Sequence, residues 1–281
     1  MAVTVVRRDA PHERIIISTV TVFNHGKRGH STAPSFSIHP AYSMILVIKH
    51  IAVEGPGTIG TFFEKEGFQL REINLCDGDA LPDNLSEIEA VICMGGPMNV
   101  YEEDEYPYLK DENLFIQRIL KEEIPFFGIC LGSQLLAKAC GAKVTKAPKK
   151  EIGWFSVSLT KDGKNDPLFR GLNEHFEVFQ WHGDTFEIPK QGRHLALSKG
   201  CNNQALKAGS CAYGLQFHIE VTDDIIKNWA KADFSNSDGS LKREAKEMIN
   251  RYPKVKQKFN NDAEIIYRNF LKIIQKKAVA V

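Results

Sequence analysis

The stretch FFGICLGSQ, residues 126–134, decides how the rest of the chain is interpreted. Two phenylalanines lead into GICLG, where Cys130 stands between Gly128 and Gly132 at the predicted end of a buried strand. A nucleophile on a sharp strand-to-helix turn crowds its neighbours, so glycines are needed two positions before and two positions after it. The pattern predicts such an elbow with Cys130 as the nucleophile. The following helix would direct its positive N-terminal end at the sulfur and favour the reactive thiolate.

Strand-like and helix-like segments alternate from Met44 onward. Apolar runs of strand length begin at Met44, Phe68, Ile88 and Ile124, and segments with helical spacing of apolar residues lie between them. This alternation is typical of a parallel sheet covered by helices on both faces. After Glu151 the β pattern dominates, which predicts the rest of the same sheet and a smaller antiparallel piece. The expected fold class is α/β with a mostly parallel sheet.

Composition divides the chain into three segments. Residues 1–43 are basic and rich in Ser and Thr, with one short β-like run at 14–23. They are predicted to be a disordered or non-native extension, with a targeting segment as the alternative. Residues 44–234 are predicted to form the main domain, and residues 235–281 to form helices packed on it or appended to it. An apolar stripe in these helices would suit packing on the sheet, pairing in a homo-oligomer or docking of a partner.

The charge balance and the cysteine usage argue against several classes of function. The 281 residues carry 36 basic and 35 acidic side chains, and a formal net charge of +1 favours neither a nucleic-acid nor a membrane partner. No apolar run approaches the roughly 18 residues of a membrane span. The six cysteines are scattered without a CxxC pair, which argues against a zinc site and favours reduced thiols in the cytoplasm. No metal and no cofactor are predicted.

A cysteine nucleophile needs a base, and the base needs a group that orients it. His218 lies in GLQFHIE at the end of an apolar run, and Glu220 follows two positions later. Residues i and i+2 of a strand share a face, so the Glu220 carboxylate can hold one imidazole nitrogen while the other faces Cys130. The alternatives are a structural cysteine at position 130 and a solvated surface pair at positions 218 and 220.

Acyl transfer also needs N–H donors for an oxyanion. The backbone N–H of Leu131 follows the nucleophile directly, and a second donor is predicted at Gly96 in the glycine pair of CMGGPMN. Glycine suits this role because it lets the backbone approach a ligand closely. Taken alone, the glycine pair would be interpreted as an ordinary turn at the end of a strand.

Together these motifs resemble those of the class I glutamine amidotransferases. The resemblance is carried by GGP at 95–97, GICLGSQ at 128–134 and GLQFHIE at 214–220, and it extends over residues 44–229. The stretches PMNVYEEDEYPYL, EIGW and WHGDTF are most similar to stand-alone amidotransferases that resemble the glutaminase domain of GMP synthase. The resemblance implies a flavodoxin-like α/β fold with helices on both faces of the sheet.

The resemblance also implies a role for each matching residue. Cys130 would attack the side-chain amide of glutamine, His218 would protonate the departing ammonia, and Glu220 would orient His218. The N–H groups of Leu131 and Gly96 would hold the oxyanion. Water would then hydrolyse the γ-glutamyl thioester and release glutamate.

Two further positions match substrate-contacting residues of the family. Gln134, in the first turn of the predicted helix, corresponds to a residue that contacts glutamine. Gly183 corresponds to a loop whose backbone reaches the α-amino and carboxylate region of the substrate. Its neighbours His182 and Asp184 are expected only to shape that loop.

Three other patterns carry little weight. GPGTIG at 55–60 fits a dinucleotide-binding pattern, but it does not follow its strand closely enough and is predicted to cap the next helix. YEEDEY at 101–106 is predicted to be a solvated helix start rather than a metal site. The lysines of TKAPKKE at 145–151 are predicted to lie on a solvated face.

The activity expected from these residues is hydrolysis of glutamine or of another γ-glutamyl amide. A non-catalytic protein that keeps the fold is disfavoured, because a binding module has no need for an elbow and a complete triad. No P-loop or other nucleotide motif stands out, so ammonia would pass to a separate synthase partner, or the acceptor would be water. With water as the acceptor, a γ-glutamyl peptide is an alternative substrate.

Overall fold

The structure, a computed structural model, describes residues 2–7, 16–21, 44–234 and 239–280. Contacts divide the chain into two compact units, residues 1–38 and residues 39–281.

In the first unit, strands β1 (Ala2–Arg7) and β2 (Ile16–Thr21) pair in antiparallel fashion. Strand β2 lies inside the β-like run at 14–23, where a strand was predicted. The prediction of a disordered, non-native or targeting segment over residues 1–43 falls mostly outside the described residues and stays a prediction.

The second unit contains the sheet and helices predicted from the alternating pattern. Its strands are β3 (Met44–Lys49), β4 (Gln69–Asn74), β5 (Ile88–Cys93), β6 (Phe126–Ile129), β7 (Val144–Leu159), β8 (His175–Phe186), β9 (Arg193–Ser198), β10 (Ala205–Ala208) and β11 (Ala212–Leu215). Its helices are α1 (Gly57–Lys65), α2 (Tyr108–Lys121), α3 (Leu131–Ala139), α4 (Lys161–Asn165), α5 (Asp223–Phe234) and α6 (Gly239–Ala280).

The nine strands form one sheet in the order β4-β3-β5-β6-β11-β10-β9-β7-β8. The pairings from β4 to β11 are parallel, and those from β11 to β8 are antiparallel. The prediction of a mostly parallel sheet therefore holds for the first part only, and the antiparallel part is larger than expected. The reason is the connections: β9, β10 and β11 are joined by short turns, whereas parallel neighbours need long crossovers.

Helices cover both faces of the sheet, as predicted. On one face, α1 and α6 contribute to an apolar cluster with the sheet that includes Phe63, Ile266 and Phe270. On the other face, α2 and α3 contribute to a second cluster that includes Ile116 and Leu135. Burial of apolar surface on both sides explains why the central strands are continuous apolar runs rather than alternating ones.

The region after residue 235 differs from the sequence prediction of separate helices. The structure has one helix, α6, of 42 residues, with Pro253 inside it. Proline lacks an N–H and costs about 3 kcal/mol or more inside a helix. Buried residues on both sides of it, among them Met248, Tyr252, Phe259 and Ile266, offset this cost by packing on the sheet and on α5. In the described ranges, no helix is both long enough and apolar enough to cross a membrane.

Candidate active site

Cys130 occupies the turn between β6 and α3 in a strained conformation. Its φ of +50° and ψ of −105° lie in a region that residues other than glycine rarely adopt. Its N–H donates to the Leu215 carbonyl of β11 at 2.8 Å, which holds the turn in place. Strain of this kind persists only where surrounding contacts enforce it, and it is concentrated at functional sites. The turn therefore has the geometry predicted for a nucleophile elbow.

Gly128 and Gly132 are required by the packing of this turn. A Cβ at Gly128 would collide with the backbone of Gly132, and a Cβ at Gly132 would collide with the Cys93 carbonyl of β5. Both collisions involve backbone, so no side-chain rotation can relieve them. The two glycines let α3 begin directly against the strands, which brings Cys130 to the carboxyl edge of the parallel strands, where open α/β sheets bind ligands.

His218 and Glu220 lie beyond the end of β11 rather than within a regular strand. The His218 backbone N–H donates to the Phe179 carbonyl of β8 at 2.8 Å, and the Phe179 N–H donates to the His218 carbonyl at 3.3 Å. The Nδ1–H of His218 donates to Glu220 Oε1 at 2.7 Å, and Glu220 Oε2 accepts from the Ile219 N–H at 2.9 Å. Both side chains are buried, which excludes the alternative of a solvated surface pair.

Burial and charge act in opposite directions on the His218 imidazole. Burial alone would lower its pKa, but the charge of Glu220 and hydrogen bonds with Cys130 and Glu220 raise the pKa well above its ordinary value. The ring also packs edge-on against Trp229 of α5, with centroids 4.8 Å apart. The structure thus pairs His218 with Glu220 and brings His218 and Cys130 to the same cavity.

Residues from both ends of the second unit support the His218 segment. Tyr267 of α6 donates from its hydroxyl to the Ile219 carbonyl at 2.7 Å, and the Thr58 hydroxyl donates to Tyr267 at 2.9 Å. The Thr58 N–H donates to the Glu220 carbonyl at 3.0 Å. The backbone on the C-terminal side of His218 is therefore fixed by α1 and α6 together.

The two predicted oxyanion donors lie beside Cys130. Leu131 is the first residue of α3, and the N–H groups that open a helix have no acceptor within it. The Gly96 N–H has no hydrogen-bond acceptor among the residues that the structure describes. Gly96 packs closely on Leu131, since a Cβ at Gly96 would lie 3.0 Å from Leu131 Cδ2. Both residues line the cavity together with Cys130, and their role as oxyanion donors stays a prediction.

A cavity of about 490 Å³ opens beside the thiol. Its walls come from both parts of the sheet and from α5. Glu220 is not part of the lining, but it is hydrogen-bonded to His218, which is. Six of the predicted site residues line the cavity: Gly96, Cys130, Leu131, Gln134, Gly183 and His218.

The Gln134 side chain contacts the backbone next to Gly183 in the lining of the cavity. The Gln134 side-chain amide donates to the Asp184 carbonyl at 3.4 Å and to Gln216 Oε1 at 3.2 Å. Gly183 lies within β8, not in a loop as the family resemblance implied. It still reaches the cavity because the register of β7 shifts opposite it, between Lys146 and Glu151.

Asp184, which was expected to shape the loop at Gly183, lines the cavity. Four other charged residues that were not predicted to belong to the site also line it: Glu54, Lys146, Lys150 and Asp233. The two lysines belong to TKAPKKE, which was predicted to lie on a solvated face. Both are exposed, as predicted, and they also line the cavity. Strand β7 begins at Val144, well before the predicted strand, and carries both lysines to the cavity. The alternating pattern after Glu151 did not extend back to them, so the signal was absent from the sequence.

Glu54 lies in the segment between β3 and α1, close to the triad. Its carboxylate lies against the Gly95 backbone, where a Cβ of residue 95 would otherwise be placed. Burial raises the pKa of Glu54 to about 6, and Glu220 adds to this effect against the lowering influence of His218. A single Glu in a loop carries no sequence signal of such an environment.

The acidic run at 101–106 precedes α2 instead of starting it, because α2 begins at Tyr108. Tyr101 donates from its hydroxyl to Asp184 Oδ2 at 2.9 Å, and Glu103 pairs with Lys138 of α3 at 2.6 Å. The prediction of a helix start was therefore wrong, and the run instead ties the cavity wall to α3.

A buried His–Glu pair supports the cavity wall around Gly183. His182 Nε2 lies 3.1 Å from Glu151 Oε2, and its Nδ1–H donates to the Asp184 carbonyl at 2.8 Å. Burial opposes ionisation of Glu151, but hydrogen bonds from His182, Ser198 and Gln204 lower its pKa below the ordinary value. His182 therefore helps to shape this wall, as expected.

Two buried groups could bring three ligands to one metal ion: His50 with Cys93 and Glu112, and Glu151 with His182 and Cys201. In both groups the histidine and the glutamate already hydrogen-bond each other. The absence of a metal and of a cofactor stays a prediction.

Comparisons with known proteins agree with this geometry. The sequence model of the family described as "Glutamine amidotransferase class-I" matches residues 69–228. The glutamine amidotransferase-like protein YfeJ of Salmonella typhimurium is 32% identical over 183 residues, which cover 64% of this chain and 77% of YfeJ. One subunit of the glutamine-hydrolysing GMP synthase of Sulfurisphaera tokodaii is 34% identical over 155 residues, which cover 53% of this chain and 78% of that subunit.

A solved structure is also similar. The crystal structure of a glutamine amidotransferase from Thermotoga maritima has a TM-score of 0.74 and 34% sequence identity, and it covers 83% of this chain and 98% of its own. By contrast, the match to the GMP synthase of Borrelia garinii spans only 26% of that protein's length. The family match over residues 69–228, together with relatives matched over most of their length, shows that this chain belongs to the class I glutamine amidotransferase family of glutamine-hydrolysing enzymes.

Proposed function

We propose that this protein hydrolyses glutamine, or another γ-glutamyl amide, with Cys130 as the nucleophile, His218 as the acid–base group and Glu220 as its orienting group. One observation carries the proposal. A cysteine in a strained, positive-φ elbow lines the same cavity as an imidazole whose Nδ1 is held by a buried carboxylate at 2.7 Å. Nucleophile, base and orienting group are the three parts that acyl transfer through a thiol requires.

In the first half of the reaction, the Cys130 thiolate attacks the amide carbon of the substrate. A C–S bond forms, the carbonyl oxygen becomes an oxyanion, and the N–H groups of Gly96 and Leu131 donate to it. His218, protonated because its pKa is raised, then gives its proton to the amide nitrogen. The C–N bond breaks, ammonia leaves, and a γ-glutamyl thioester remains on Cys130.

In the second half, water attacks the thioester. His218, now neutral, takes a proton from the water as its oxygen bonds to the acyl carbon. The C–S bond then breaks, and the Cys130 thiolate returns opposite a protonated His218. The γ-carboxylic acid of glutamate forms and loses its proton to solvent. The sum of the two halves is one amide and one water consumed, and one glutamate and one ammonia released.

The cavity lining suits the α-amino acid end of such a substrate. Asp184 and Lys150 both line it, so a carboxylate and an ammonium group are available for the two charges of a zwitterion. Gln134 adds an amide that is fixed by two hydrogen bonds. Charged groups in a partly buried cavity recognise opposite charges through strong hydrogen bonds.

A second candidate is the supply of ammonia to a separate synthase. The similarity to one subunit of a glutamine-hydrolysing GMP synthase favours it. A γ-glutamyl peptide as the true substrate is a third candidate, since the same attack would cleave any γ-glutamyl bond that the cavity accepts.

Release of glutamate from the purified chain tests the proposal. Glutamine and a panel of γ-glutamyl amides and peptides would be offered, and the C130A variant would serve as the control. We expect hydrolysis of at least one compound by the wild type and none by the variant. Activity that appears only after addition of a synthase would favour the second candidate. Equal rates for wild type and variant would refute the role of Cys130.

A further inference from the structure

Under the glycine turn that follows β5 lies a buried pair of charged residues that the reaction above does not use. His50, just after β3, and Glu112, in α2, are both fully buried. His50 Nε2 lies 2.9 Å from Glu112 Oε2 and 3.1 Å from Oε1. A buried ion pair is weak evidence for stability, since well-packed apolar residues in its place are often neutral or stabilising. The position of the pair indicates another purpose.

The second ring nitrogen of His50 contacts the backbone of the reaction site. Nδ1 lies 2.9 Å from the Gly95 carbonyl oxygen. A carbonyl oxygen can only accept, so Nδ1 must carry the hydrogen of this bond. This is true whether His50 and Glu112 form an ion pair or share one proton as neutral groups. The bond to Gly95 is therefore independent of how the pair is protonated.

The bond to Gly95 determines the direction of the oxyanion donor. The Gly95 carbonyl and the Gly96 N–H belong to one planar peptide unit and point in opposite directions. When the carbonyl points at His50, the N–H points away from it. Gly96 itself lies between His50 and Leu131, because a Cβ there would be 2.8 Å from His50 Cβ and 3.0 Å from Leu131 Cδ2. The Gly96 N–H is thus directed away from the His50 ring, and Gly96 lines the cavity together with Leu131 and Cys130.

We propose that His50 is a positioning residue: its Nδ1–H locks the Gly95–Gly96 peptide in the orientation that presents the Gly96 N–H to the developing oxyanion. The inference rests on the function proposed above. Two consecutive glycines have wide backbone freedom, so without the lock this peptide can rotate and withdraw its donor. Glu112 holds the ring from behind, and the Cys93 thiol donates to Glu112 Oε1 at 3.3 Å.

The test compares H50A with H50N, using L-glutamine and γ-glutamyl-p-nitroanilide as substrates. The side-chain amide of H50N can place a donor near the position of Nδ1, whereas H50A removes it. We expect H50A to lower kcat by about 10²-fold, the lower end of the effect of losing one oxyanion donor, with KM little changed. H50N should recover at least about tenfold of that loss, the value of one hydrogen bond of about 1.4 kcal/mol.

The rate at which iodoacetamide alkylates Cys130 separates a positioning role from a structural one, because a general loss of structure would change that rate. Displacement of iodide creates no oxyanion, so its rate and pH profile depend on the thiol and His218 alone. We expect H50A to be alkylated at the wild-type rate. Slower alkylation, a higher KM or equal loss in H50A and H50N would overturn the inference and indicate a structural role.

Two further variants complete the test. E112Q retains a hydrogen-bonding partner for the ring without the charge, so kcat should lie between those of wild type and H50A, and this variant replaces H50A if that protein does not fold. H182N disturbs the second buried His–Glu pair, His182 with Glu151, which supports the cavity wall around Gly183. It should raise KM more than it lowers kcat. Full hydrolysis by H50A, with none by C130A, would refute the inference and leave the proposed function intact. Full hydrolysis by C130A would refute the proposed function itself.

Discussion

The parallel and the antiparallel parts of the sheet contribute to the cavity in different ways. On the parallel side, Gly96 follows β5 and Cys130 follows β6, and what they offer is one thiol and backbone N–H groups. On the antiparallel side, β7 and β8 offer charged side chains, Lys150 and Asp184 among them. His218 lies where the two parts meet, after β11 and bridged to β8.

This difference separates reaction from recognition. Backbone donors and a strained turn depend on glycines at fixed spacing, so the parallel side can change little without losing its geometry. Charged side chains on strands can be exchanged one by one without disturbing the fold. Substitutions on the parallel side should therefore change kcat, and those on the antiparallel side should change KM. The predictions below, from the largest expected effect to the smallest, test this division.

The largest effect is expected from C130A on the parallel side. Loss of the nucleophile should lower kcat by about 10³-fold or more, the range seen when a triad nucleophile is removed. Binding of glutamine, measured by calorimetry, should persist because the antiparallel wall is intact. Near-normal turnover by C130S, or inactivation of the enzyme by alkylation of another cysteine, would contradict the assignment.

E220Q tests the junction between the two parts. It should lower kcat by about 10²-fold or more, because the imidazole loses its orienting partner, while KM changes little. The charge of Glu220 raises the pKa of His218, so its removal lowers that pKa. The alkaline limb of kcat/KM should therefore move to lower pH. A rise in KM with kcat intact would make Glu220 a binding residue instead.

On the antiparallel side, K150M should raise KM for glutamine by about tenfold, the effect of losing one charge-assisted hydrogen bond, with kcat nearly constant. Lys149 is exposed and is not part of the cavity lining, so K149M is the matched control and should leave KM unchanged. A fall in kcat for K150M at constant KM would break the division between reaction and recognition.

E54Q is expected to change the stability of the fold and to leave the division between reaction and recognition unaffected. Folding raises the pKa of Glu54 from 4.5 to about 6, so the folded state favours the protonated form. The contribution of Glu54 to the free energy of unfolding is fully present below pH 4.5 and is lost as the pH rises through about 6. At pH 7.5, E54Q should be more stable than the wild type by on the order of 1 kcal/mol, seen in denaturant unfolding. Exposed Glu64 offers the control E64Q, and an equal gain there would disprove the explanation.

Removal of residues 1–43 should have the smallest effect. The elbow, the base and the predicted oxyanion donors all lie after residue 43, and β3 begins at Met44. A chain that starts at Met44 should hydrolyse glutamine at the full-length rate. Loss of activity or solubility in that chain would mean that the segment belongs to the fold.

The same division explains what could be predicted from the sequence. Cys130 and its flanking glycines form a sequence pattern of five residues that is recognisable without knowledge of the packing, and the i, i+2 spacing of His218 and Glu220 is equally local. Lys150 and Glu54 could not be predicted, because their position depends on the register of β7 and on packing between distant segments. The size of the antiparallel part was underestimated for the same reason, since strand pairing is set by connections rather than by the apolar pattern.

The hydrogen bond between Thr58 and Tyr267 joins residues 209 positions apart. Contacts of such sequence separation form late in folding, because the entropy cost of closing a long loop comes before the stabilisation that the contact provides. The elbow at Cys130 is held by contacts of shorter sequence separation, to Cys93 and Leu215, and can form earlier. The backbone that carries His218 is secured only when α1 and α6 meet. A folding chain would thus hold its thiol without a positioned base until the last long-range contacts are made, and the appearance of hydrolytic activity would mark the completion of folding.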